Sequence, residues 1–188
     1  MPVRFTDQNK RLTNYQTEVW VMCPNCAKKA IAKVDYELKK ATLFCENCGF
    51  NKQTSTEANV LGINENWNIA AHSYFGAQLW LQYPFKNDVF VAFNADHLNY
   101  LEQYIAADLR EHKDRTGFTL LERLPKFYHE AKNRKALLAI IQKLKKNRGR
   151  SIFVLTQKNS LYQNNRGSFE FVPSLPIYKR ECSKKTRS

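Results

Sequence analysis

Cys23-Pro24-Asn25-Cys26 and Cys45-Glu46-Asn47-Cys48-Gly49 decide how this chain is read. Eighteen residues separate the two CxxC pairs. That spacing falls within the zinc-site pattern of two such pairs about 15–20 residues apart. A two-residue spacer lets both sulfurs of a pair reach one ion. Four thiolates complete a tetrahedral shell and leave no open position for water, so the site holds structure rather than performing chemistry. The predicted ligands are therefore Cys23, Cys26, Cys45 and Cys48, and the predicted cofactor is Zn2+. Ligation of this kind contributes on the order of 10 kcal/mol to folding at neutral pH. A small ribbon needs it, because it cannot bury enough apolar surface alone. Three other readings compete. Iron suits the same sulfur set. Dithiol redox chemistry would want a CxxC in a βαβ setting, which neither pair offers. Four unrelated free thiols would have to match this spacing by chance.

Strand-like segments flank the pairs. Glu18 to Met22 enters the first, Ala30 to Tyr36 alternates with period two, Lys39-Lys40 marks a turn, and Ala41 to Phe44 enters the second. Gly49 permits a left-handed backbone just after Cys48, whereas the first pair has Ala27 there.

Farther out, residues 51–66 read as an exit strand and a linker. Residues 77–82 and 88–93 read as a hairpin turning at 83–87. Asn94 is a candidate N-cap for a helix with Leu98, Leu101, Ile105 and Leu109 on one face, ending near His112. A second helical region spans 119–130 and is interrupted by Pro125. A third, 134–146, carries Leu137, Leu138, Ile140, Ile141 and Leu144, and Gly149 stops it. The fold class expected is α+β: a three-stranded antiparallel zinc ribbon joined to a β-hairpin and three-helix module. The boundaries are a loose leader over 1–16, the ribbon over 17–58, the helical module over 59–149, and a basic, partly disordered C-terminal extension over 150–188.

The two knuckles with their strand-like flanks resemble a zinc ribbon of the TFIIB type, over about residues 17–55. The order continues with Tyr74-Phe75-Gly76-Ala77-Gln78-Leu79-Trp80-Leu81-Gln82, Phe93-Asn94-Ala95-Asp96-His97-Leu98, Leu124-Pro125-Lys126 and Ala131-Lys132-Asn133-Arg134. With the ribbon, this is similar to small bacterial TFIIB-type zinc-ribbon-containing proteins. The resemblance implies the four metal ligands and carries no activity.

Composition bounds the partners. The chain has 188 residues, 43% hydrophobic and 13% aromatic, enough for a core. Its net charge of +13 favours polyanions. Residues 148–188 hold nine Lys and Arg against two Asp and Glu, over half of that excess. Lys28, Lys29, Lys33, Lys39 and Lys40 around the knuckles, and Lys143, Lys145, Lys146, Arg148 and Arg150 at the last helix and its exit, are candidate phosphate contacts. Each can equally be an ordinary solvated lysine or arginine. The aromatic residues between 74 and 93 suit base stacking or, more simply, a half-buried sheet. Four scattered histidines and no nucleophile or phosphate-loop motif argue against an enzyme. Residues 1–16 lack an apolar signal stretch, and no run of about 18 apolar residues occurs. A cytoplasmic protein without membrane contact is expected. The leading function is nucleic-acid binding, and the alternative is a protein-interaction adaptor built on the ribbon.

Overall fold

The computed structural model describes residues 2–60, 63–111 and 118–146. Its largest sheet has four antiparallel strands in chain order. They are β2 (Glu18–Met22), β3 (Lys29–Asp35), β4 (Lys40–Phe44) and β5 (Asn51–Ser55). Alternation explains the sheet: Val19, Val21, Ala30, Ala32, Val34, Ala41 and Leu43 all point inward and are buried. The sheet thus has four strands where a three-stranded ribbon was expected, and the exit strand read after the second knuckle, Asn51–Ser55, pairs along the whole of β4.

Strand β1 (Arg4–Thr6) precedes this sheet and pairs in parallel with β10 (Leu109–Glu111). The expected loose leader is therefore tied down, with Phe5 and Tyr15 in the core. The same pairing shortens the first helix. α1 (Ala95–Ala106) ends at Ala107, whose backbone is extended, and Asp108 N–H then donates to Val3 O at 2.8 Å. Leu109, expected on the apolar helix face, is instead 44% exposed on a strand.

The segment read as a linker forms a second hairpin, β6 (Glu57–Val60) with β7 (Ile63–Asn66). A single-turn helix, Ala71–Phe75, then packs on β2, β3 and β4. The next hairpin, β8 (Leu81–Phe85) with β9 (Asp88–Ala92), turns at two residues, with Lys86 left-handed at φ 55°. It starts four residues later than expected, since residues 78–80 instead run along the outer edge of β2.

Asn94 caps α1 as expected, its Oδ1 accepting from His97 N–H at 2.9 Å. The region 119–130 is no continuous helix. It holds two single 3-10 turns, Leu121–Arg123 and Lys126–Tyr128, with Pro125 between them. A third such turn, Ala131–Asn133, leads into α2 (Arg134–Lys146). The described residues therefore hold two α-helices rather than three. Leu137, Ile140, Ile141 and Leu144 of α2 are buried, and α2 packs against α1 and β8. One apolar core runs from the inner face of the four-stranded sheet to these helices. The basic extension over 150–188 lies outside the described residues.

Candidate metal centre

Consecutive antiparallel hairpins bring every second turn to the same end of a sheet. The β2–β3 turn carries Cys23 and Cys26, and the β4–β5 turn carries Cys45 and Cys48. The two knuckles therefore meet without any special long-range device.

Their backbones repeat one geometry. Ala27 N–H donates to Cys23 O at 2.9 Å, and Gly49 N–H donates to Cys45 O at 2.9 Å. Cys23 N–H donates to Lys28 O at 2.8 Å, and Cys45 N–H to Phe50 O at 2.9 Å. Both knuckles close through a left-handed residue, Ala27 at φ 55° and Gly49 at φ 71°. The glycine expected to be distinctive thus shares its conformation with an alanine.

The four Sγ atoms all lie within 4.8 Å of one another. Cys23 Sγ is 3.7 Å from Cys48 Sγ, and Cys26 Sγ is 3.6 Å from Cys45 Sγ. A tetrahedron of sulfurs at about 2.3 Å from a central ion has edges of about 3.8 Å. The cluster fits that figure, so these residues are arranged to hold a metal ion. Cys23 and Cys45 are buried, Cys26 is half-buried and Cys48 is exposed. The ion's place is thus at the rim of the sheet.

Polar groups already point at the sulfurs. Asn47 Nδ2 donates to Cys26 Sγ at 3.6 Å, and the Asn25 side chain lies on the Cys48 side. Asn47 of the second knuckle thus serves the second cysteine of the first. Sequence reasoning passed over this pair, although the signal was present in the shared Asn-Cys ending of both motifs. Lys28 Nζ donates to Asn47 Oδ1 at 2.8 Å and orients that amide. Burial pushes the Cys23 thiol up to about 11, partly offset by the N–H groups of Cys26 and Asn25. The Phe50 N–H, followed by the Asn25 side chain, draws Cys48 down to about 6. Ligation takes the cysteines as thiolates, so metal capture releases protons.

The predicted phosphate contacts do not form one patch. Lys28 and Lys29 lie at the knuckle end of β3, whereas Lys39 and Lys40 lie at its far end, about 20 Å away along seven strand residues. Carboxylates engage three of the lysines: Lys33 with Glu18 at 3.0 Å, Lys39 with Glu57 at 2.7 Å, and Lys145 with Glu102. Lys29 Nζ sits 4.3 Å from the Trp20 ring centroid and Lys143 Nζ 5.4 Å from that of Tyr83. Lys40 and Lys146 are exposed. Arg148 and Arg150 lie outside the described residues. Of the aromatics, Trp80, Phe85, Phe90 and Phe93 are core residues.

Of the described histidines, His97 is buried and His72 and His129 are half-buried. His97 is 3% exposed, and its Nδ1 accepts from Phe93 N–H at 3.2 Å. His129 lies between Tyr104 OH, 2.5 Å from Nδ1, and Leu124 O, 3.2 Å from Nε2. His112 is outside the described residues. No helix among the described residues is long and apolar enough to cross a membrane. Comparison with protein-family models, with curated proteins and with solved structures finds no match for this chain.

Proposed function

We propose that the chain binds one zinc ion as a structural centre and uses the module so rigidified to bind nucleic acid. The observation that carries the first half is the convergence of four sulfurs within 4.8 Å. A borderline-soft ion without geometric preference suits a closed S4 shell, and zinc is the common ion of this kind. Cys23, Cys26, Cys45 and Cys48 hold it, and it supplies no reactive position. It fixes two hairpins against each other.

The second half is supported by charge. The chain carries 30 Lys and Arg against 17 Asp and Glu. Lys28, Lys40, Lys143 and Lys146 are exposed, and residues 148–188 carry a further excess of seven positive charges. Recovery of bound macromolecules from cells, with and without nuclease, tests this. Nuclease should release what the protein carries, and affinity should fall steeply with salt and after removal of residues 148–188. Partners that survive nuclease would favour the adaptor reading. That reading draws support from a cleft of about 530 Å³ beside the first knuckle, lined by Met22, Pro24, Ala27, Phe50, Phe75 and Gln78.

A further inference from the structure

The strand register places an apolar row across the outer face of the four-stranded sheet. Trp20 faces Ile31, Ile31 faces Phe44, and Phe44 faces Asn51. These side chains alternate with the buried ones; Ile31 and Phe44 look outward, while Trp20 also packs on the core. Phe44 is 46% exposed, while Trp20 and Ile31 are half-buried. Trp20 and Phe44 stand two strand spacings apart, about 10 Å.

Two residues along the strands on either side, about 7 Å, the knuckle-side row sets Lys29 opposite Met22, and the far row, Glu18, Lys33, Thr42 and Gln53, is polar. Lys29 lies on the knuckle side, its Nζ over the Trp20 ring. Lys33 lies on the other side opposite Thr42, with Gln53 beyond, and Lys40 lies one row farther. The acids on this face are otherwise engaged. Glu18 pairs with Lys33, and Asp35 Oδ1 accepts the N–H groups of Glu37 and Leu38. Lys29 and Lys40 have no carboxylate partner among the described residues.

We infer that this face is a stacking surface for unpaired bases of single-stranded nucleic acid. Bases stack on Phe44, the exposed aromatic of the row, and Lys29, held over the Trp20 ring, and Lys40 meet the phosphates. The inference rests on the nucleic-acid reading above and narrows it. Aromatic side chains on an open sheet flanked by cations are the common means of holding single strands, since every base has a π-face. A duplex keeps its bases stacked inside and cannot use such a row. Size points the same way. Four strands by five residues span about 250 Å². A stable protein interface takes about 800 Å² per partner, whereas two or three bases fit the smaller area.

The test uses the full zinc-loaded chain and a fluorescein-labelled oligothymidylate of about 16 nucleotides, read by anisotropy. A duplex of equal length is the competitor. The single strand should bind more tightly than the duplex. Phe44→Ala should weaken it about tenfold or more, and Phe44→Tyr should restore it. Lys29→Gln should weaken binding and lower the salt slope by about 0.7. Because Trp20 also packs on the core, Phe44 is the decisive position, with zinc content as the control for folding. Unchanged affinity in Phe44→Ala, or preference for the duplex, would overturn the stacking surface while leaving nucleic-acid binding standing. No binding of either probe by the parent chain would remove both, and a partner protein lost in Phe44→Ala would reassign the face to protein docking.

Discussion

Ala27 and Gly49 hold equivalent places in the two knuckles, yet only glycine adopts a left-handed backbone without a steric penalty. A Cβ on Gly49 would meet nothing within 4 Å, so its substitution probes the backbone alone. Gly49→Ala should cost about 1 kcal/mol, and Ala27→Gly should stabilise by a similar amount, both read by denaturant unfolding of the metal-loaded protein. The histidines give a second residue-scale expectation. Burial holds both His72 and His97 down to about 4. Between that value and the ordinary histidine range near 6.5, the unfolded chain binds protons that the folded chain refuses. The histidines' contribution to stability is therefore full above about pH 6.5 and falls as the pH drops toward 4, by up to about 3 kcal/mol for each ring. His72 Nδ1 has no hydrogen-bond partner, so His72→Phe should flatten that slope in unfolding curves taken across the window.

Helix α1 is joined to the ribbon by its own cap. Asn94 Oδ1 accepts from His97 N–H, while Asn94 Nδ2 donates to Glu18 O at 2.8 Å. Asn94→Ala removes both contacts and should cost about 2 kcal/mol, the upper end for a cap, measured by thermal or denaturant unfolding. This element was legible because a cap is local chemistry. So were β2, β3, β4 and α2, whose apolar periodicity is their own. The metal ligands were legible because spacing alone brings them together. Other features depend on partners distant in sequence. The end of α1 is set by Val3 and the true extent of β8 by the outer edge of β2, neither of which local pattern contains. Asn51–Ser55 shows the limit well: the exit strand was read there, but it is polar throughout, so no alternation announces its register along β4.

At the scale of the whole molecule, the ion's site and the core are mechanically continuous. The inner face of the four-stranded sheet belongs to the same core as α1 and α2. Ligation on the order of 10 kcal/mol compares with a total stability of about 5–15 kcal/mol for a domain. Chelation of the metal, or Cys45→Ser, should therefore unfold more than the knuckles. The loss should appear in near-ultraviolet dichroism, since Trp20 and Trp80 both sit against that shared core. Metal analysis should return one equivalent for the parent chain and clearly less for Cys45→Ser.

The outer border of β2 is closed by residues from far along the chain: Met22 N–H donates to Gln78 O, Trp80 N–H to Trp20 O, and Trp20 N–H to Phe93 O. A fragment cut after the ribbon would lose this cover and offer a row of unsatisfied amides beside the bared valines and alanines of the inner face. Such a fragment should take up metal and still associate with copies of itself, so the knuckles are best produced and handled with everything through Phe93 attached.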